Sequence, residues 1–244
     1  MLGRISSLAG PLSSAPAKYI VTRGLVAQLE VFRPSSYPGT GTTWTDTVGG
    51  YNGTLTNGAA YSSSDGGIIQ LDGTNDYVEI ADAVALRGAV GAVRTAIIWA
   101  RVSSYDDNNG LFGKQFGSAT YDGYSLAVKT SEGIRLQMNG GAVNGGYNSA
   151  TGVWSLNTWT MFTAVIAFGG NAKAYVNTTE VINVSNAESS IPSNTAALRI
   201  GTDIQDPGDR FPTMDVGAFY FYNRELTATE ITQNFNAVRS KYGV

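Results

Sequence analysis

Residues 67–80, Gly-Ile-Ile-Gln-Leu-Asp-Gly-Thr-Asn-Asp-Tyr-Val-Glu-Ile, constrain the fold more than any other stretch. Two short runs, Ile68 to Leu71 and Tyr77 to Ile80, flank the polar turn Asp72 to Asp76. Ile69 and Leu71 share one side of the first run, and Val78 and Ile80 share one side of the second. Gln70 and Glu79 point the other way. A period of two is that of a strand with one face on a core. A short connection containing glycine reads as a hairpin turn. Similar runs, separated by Gly, Asn and Ser turns, recur along the chain. No region reads as a linker and no period repeats, so the expected body is one β domain.

The first strand is expected within residues 24–33, with Leu25, Ala27, Leu29 and Val31 on one face and Gln28 and Glu30 on the other. Trp44, in a loop rich in Pro and Gly, reads as a core plug, because large rings end up mostly buried. Arg94 to Val102 and Thr158 to Phe168 are apolar on both faces and should be interior strands. Ala172 to Val176 and Glu180 to Val184 form a hairpin across Asn177-Thr178-Thr179. One helix is expected, at the C-terminal end. Thr227 with Glu230 three residues on is a capping box, and Leu226 with Ile231 is a hydrophobic staple. Ile231, Phe235, Val238 and Tyr242 continue an apolar stripe, and Gly243 stands where a helix stops.

Composition removes whole classes of chemistry. The 244 residues include no cysteine and no histidine. Disulfides, thiolate metal sites, histidine-ligated zinc or haem and His-dependent nucleophilic triads are therefore excluded. A net charge of −3 with no basic stripe argues against nucleic acid. The apolar runs fall far short of the ~20 residues a membrane span needs.

Residues 1–20 differ from the rest. Leu2, Ile5, Leu8 and Leu12 are spaced like a helix face, but Gly3, Gly10, Pro11 and Pro16 interrupt it. The same breaks spoil a secretory signal. Two readings stand: a free terminus, or an arm that orders only against a partner with those four side chains as anchors. The second accounts better for four large aliphatic groups. The division is an arm at 1–20 and a β domain at 21–244.

The ordered set Gly24-Leu25-Val26, Ser36 to Asp46, Asn52-Gly53-Thr54-Leu55, Leu71 to Val78, Leu156-Asn157-Thr158-Trp159, Ala174 to Asn177, Leu198 to Gly201 and Tyr222 to Ile231 resembles the concanavalin A-like lectin/glucanase superfamily. Within it, the likeness is to the laminin G-like and pentraxin-like jelly-roll branch. The resemblance implies an all-β fold, a two-sheet antiparallel jelly-roll sandwich with one C-terminal α-helix behind the N-terminal arm. It also implies a place among adhesion proteins, including structural proteins of tailed-phage virions.

Three chemistries then need weighing. The glucanases of the superfamily carry Glu-x-Asp-x-x-Glu on one strand, and no such triplet occurs here, so the chain is expected not to be an enzyme and no catalytic residue is assigned. Asp203, Asp206 and Asp209 could hold calcium, with Asp72 and Asp76, or residues 106–109, as rivals. The favoured account of all three is turn formation, so no metal ligand or other cofactor is assigned. Glycan contacts are expected at Tyr105 with Asp106 and Asn108, at Tyr121, and at Tyr147, where an aromatic face stands beside polar side chains. A structural origin serves these tyrosines as well.

The resulting expectation is a non-catalytic virion surface protein, a capsid decoration or fibre component bound to other virion proteins through its arm. It would be homo-oligomeric, touch host-surface glycans, and bind neither nucleic acid nor membrane. The alternative is a free-standing carbohydrate-binding lectin, with calcium dependence left open.

Overall fold

The structure, a computed structural model, describes residues 19–116, 122–139, 145–185, 194–202 and 210–244. Leu2, Ile5, Leu8, Leu12, Tyr121 and the Asp203, Asp206 and Asp209 set lie outside the described residues. The strands begin with β1 (Leu25–Glu30), β2 (Thr43–Trp44), β3 (Gly53–Thr56) and β4 (Ala60–Ser62). Next are β5 (Ile68–Asp72), β6 (Tyr77–Ile80), β7 (Val93–Ser104) and β8 (Asn109–Phe116). They are followed by β9 (Asp122–Lys129), β10 (Gly133–Asn139), β11 (Gly146–Asn148) and β12 (Thr160–Ala167). β13 (Ala172–Val176), β14 (Thr179–Val184), β15 (Leu198–Ile200) and β16 (Thr213–Tyr222) complete the set, and helix α1 (Ala228–Val238) follows.

These strands form two antiparallel sheets packed as a jelly-roll sandwich. The first has the order β14-β13-β12-β7-β16-β5-β4, with β1 also paired to β16. The second has the order β11-β10-β9-β8-β15-β6-β3-β2. Alternation sends Leu29, Ile69, Leu71, Ile98, Phe162 and Phe219 inward from the first sheet. Val78, Ile80, Phe112, Leu126, Leu136 and Leu198 meet them from the second. Trp44 is fully buried in that core, as expected of a plug. β7 and β12 pair in the interior of the first sheet and are apolar on both faces for a concrete reason. Their outward residues Ile97, Trp99, Met161 and Val165 form a second core under α1, with Tyr220, Tyr222, Ile231, Val238 and Tyr242.

The helix starts as its sequence specifies, but its α-helical part ends at Val238 and a 3-10 turn, Arg239–Lys241, carries the chain on to Tyr242 and Gly243. Thr227 Oγ1 accepts the Glu230 N–H at 3.2 Å, and Glu230 Oε2 accepts the Thr227 N–H at 3.0 Å. The chain joins the sandwich beside this helix. The Val21 N–H donates to Asn234 Oδ1 at 2.7 Å, and the Tyr222 hydroxyl donates to the Val21 carbonyl at 3.0 Å. The hairpin β13–β14 also forms as expected, with Asn177 at φ +54° in its turn.

The stretch 68–80 is a corner and not a hairpin. β5 pairs with β16 and β4 in the first sheet, whereas β6 pairs with β15 and β3 in the second. Alternation fixes which face is buried and says nothing about the partner strand. Because both inner faces enter one core, a corner and a hairpin demand the same pattern. Gly73, at φ +80°, supplies the left-handed residue that carries the chain across.

Candidate functional site

Helix α1 covers only part of the first sheet's outer face. Beyond it the outward residues become polar, and Gln70, Asp215 and Arg101 stand side by side on β5, β16 and β7. The Arg101 guanidinium donates from Nε and Nη2 to Asp215 Oδ2 at 2.9 and 2.7 Å. Its Nη1 reaches Asp65 Oδ2 at 3.0 Å, and the group lies 5.2 Å from the Trp159 ring. Gln70 Nε2 donates to Asp215 Oδ1 at 3.3 Å.

Where this polar strip meets the corner after β5, the surface sinks into a cavity of about 400 Å³. Its polar lining comes from Gln70, Asp72, Asp76, Ser103, Thr213 and Asp215. The corner positions its carboxylates by turn chemistry. Asp72 Oδ1 accepts the Thr74 N–H at 2.8 Å, and Asp76 Oδ2 accepts the Asp72 N–H at 3.1 Å. Turn formation therefore uses one oxygen of each. Asp76 is only 4% exposed, yet its Oδ1 has no hydrogen-bond partner. Burial pushes the Asp76 carboxyl above its ordinary pKa; the Asp72 N–H opposes this and the Asp72 charge adds to it. Gly58 keeps the approach open, since a Cβ there would sit 2.8 Å from that bare oxygen.

A buried acceptor with no donor costs free energy until something supplies one. The cavity can therefore take a ligand rich in O–H or N–H groups, with Gln70, Ser103 and Thr213 offering further polar contacts. As for a metal, no three Asp or Glu side chains converge among the described residues. Two carboxyl groups in different environments within one cavity are also the raw material of acid–base catalysis.

The residues expected to touch glycan lie elsewhere. Tyr105, Asp106 and Asn108 sit in the connection that takes the chain from β7 in the first sheet to β8 in the second. The Tyr105 ring packs on Trp154 at 5.3 Å, and its hydroxyl accepts the Glu132 N–H at 3.0 Å. Asp106 is exposed, and Asn108 Oδ1 accepts from Arg135 Nη1 at 3.3 Å. Tyr147 stands opposite Leu136 on β11 and packs against the inter-sheet core. The structure thus keeps the first three together and places Tyr147 apart from them, on the edge strand β11. Sequence reasoning named Asp72 and Asp76 only as rival metal ligands, and missed Gln70, Ser103, Thr213 and Asp215 as their neighbours. Period two marked Gln70 as outward-facing; nothing local marks β16 as its partner.

Comparison with known proteins follows the fold. The family model described as "Concanavalin A-like lectin/glucanases superfamily" (Laminin_G_3) matches residues 72–232. No curated protein matches the chain in sequence. Among solved structures, a Trypanosoma rangeli sialidase bound to a difluoro-KDN is similar with a TM-score of 0.70 at 14% identity, over 98% of this chain and 37% of the sialidase. The binding domain of Paraclostridial Mosquitocidal Protein 1 gives 0.68 at 15% identity, over 88% of this chain and 52% of its own. The binding domain of botulinum neurotoxin DC in complex with SialylT gives 0.67 at 14%, with the same coverage. The chain thus spans about a third of the sialidases and about half of the toxin domains.

These neighbours correct the expectation that the chain is not an enzyme. Sialidases are among the structures with this fold, so a missing Glu-x-Asp-x-x-Glu strand removes one carboxylate arrangement and not catalysis as such. With the family model spanning most of the sandwich and both sheets in place, the chain belongs to the concanavalin A-like lectin/glucanases superfamily.

Proposed function

We propose that the chain is a carbohydrate-binding attachment domain displayed on a larger assembly, the surface of a virion, with the corner cavity as its saccharide site. The observation that carries the saccharide reading is a polar cavity of about 400 Å³ lined by Asp76, a residue whose buried Oδ1 has no hydrogen-bond partner. Carboxylate, amide and hydroxyl groups converging in a concave site are what a polyhydroxylated ligand requires. The neighbouring toxin domain, held in complex with SialylT, is consistent with this use of the fold.

Display on an assembly is supported by the placement of the two functional ends. The chain joins the sandwich at Val21, beside Tyr222 at the end of β16, and the cavity lies at Thr213 to Asp215, at its beginning. Ten residues of strand separate them by about 30 Å. Leu2, Ile5, Leu8 and Leu12 are the proposed contacts to the assembly, and further copies and other virion proteins are the proposed partners. Among the described residues no helix is long and apolar enough to cross a membrane.

The test is a glycan array with the intact chain, run with and without calcium, followed by titration calorimetry on Asp76→Ala. Binding that is lost in the variant supports the reading, and an array with no hits in either condition overturns it. Deleting residues 1–20 should leave saccharide binding intact and abolish incorporation into particles; particles that still incorporate the truncated chain would sink the display half.

A further inference from the structure

We infer that the corner cavity selects neutral, hydroxyl-rich saccharides and rejects sialylated or otherwise anionic ones. This rests on the saccharide reading above and adds the ligand's charge class. Three of the ten residues lining the cavity are aspartates (Asp72, Asp76 and Asp215), and none is a lysine or arginine. Arg101, the cation paired with the lining Asp215 on this face, is already committed. Its Nε and Nη2 are held by Asp215, its Nη1 by Asp65, and its plane rests near Trp159. It closes the charge of Asp215 and has no fork left to clamp a carboxylate.

Asp76 sharpens the selection. When the group is ionised its Oδ1 can only accept, it has no partner within the protein, and Asp72 stands on the same turn. A ligand hydroxyl satisfies it directly, whereas a ligand carboxylate brought to the same place meets like charge in a poorly solvated site. Specificity of this kind comes from the repulsive element as much as from the attractive one. Proteins that contain this fold are solved with sialic acid and with SialylT, and the charge selection is therefore assigned to the side chains at this corner and not to the fold.

The test pairs neutral oligosaccharides ending in glucose, galactose or N-acetylglucosamine with sialyllactose, titrated at low and moderate salt against the intact chain and against D76N. Asn preserves the size of the side chain and an acceptor for the Asp72 N–H, so the fold is retained. The expected result is measurable affinity for a neutral glycan, little dependence on salt, at least a tenfold loss in Asp76→Asn, and no detectable sialyllactose binding. Tighter binding of sialyllactose than of lactose overturns the charge selection and leaves the saccharide reading standing. Neutral binding unchanged in Asp76→Asn overturns the assignment to this cavity. Failure of every saccharide, neutral and sialylated, overturns the saccharide reading itself and this inference with it.

Discussion

Lys114 shows how much of the chain's stability depends on single polar residues placed inside the sandwich. It is 1% exposed, and its Nζ reaches Asp82 Oδ1 at 2.5 Å and also the Ala196 carbonyl. Arg87 pairs with the same carboxylate, and together they hold Asp82 down at about pKa 2. Burial pushes Lys114 below its ordinary value, and Asp82 pulls it back. Removing the partner of a buried charge is far worse than removing the pair. We expect Asp82→Ala to cost about 3–5 kcal/mol in urea unfolding, and the double change with Lys114→Met to recover much of it. Asp76 is the opposite case. Its pKa is raised on folding, so its ionised form opposes the fold as pH rises through that raised value. Asp76→Asn should therefore raise the melting temperature at neutral pH while weakening ligand binding; a lowered melting temperature would contradict the bare-oxygen geometry. Neither residue could be read from the sequence alone. Lys114 stands two positions from the core residue Phe112, so alternation turns it inward, but nothing local marks Asp82 and the Ala196 carbonyl as the partners that it meets there.

Among elements, α1 was the most legible, because every determinant of its start is local. Thr227, Glu230, Leu226 and Ile231 are contiguous, and the cap they specify is present in both halves. Arg224 reinforces it with bonds of 2.8 and 2.6 Å to the Glu230 carboxylate. Thr227→Ala should cost about 1 kcal/mol, seen as a lower denaturant midpoint at unchanged slope. The corner after β5 was the least legible element, since β5 pairs with β16 and β6 with β15, partners 145 and 120 residues along the chain that leave no local mark. The same limit hid the cavity. Its two ends of sequence meet only when β16 pairs with β5.

For the whole molecule, two ion-pair groups set the acid limit. Glu230 is held at about pKa 2 by Arg224 first, with the cap N–H adding to it, and Asp82 at about 2 by Arg87 and Lys114. Depressed pKa values contribute stability that is complete above the ordinary carboxylate range and lost as pH falls towards 2. The melting temperature should accordingly drop steeply between about pH 4.5 and 2, and a flat profile there would show these pairs are not formed. Composition and alternation were enough to predict one β domain with a buried face, and its two layers followed from the family resemblance. The strands apolar on both faces also announced a cover on each side, and Trp99, Met161 and Tyr220 show that α1 is that cover on the outer side.

β16 carries a mechanical consequence. It is bonded along its length to β7, and to β1 and β5 at its two ends. If the chain is held from its N-terminal side and pulled through a ligand in the corner cavity, tension runs lengthwise through this strand. Its ladder bonds then lie across the pull and resist together in shear, rather than opening one by one as in a zipper. A domain loaded in that direction should withstand drag that would peel the same sheets apart from an edge.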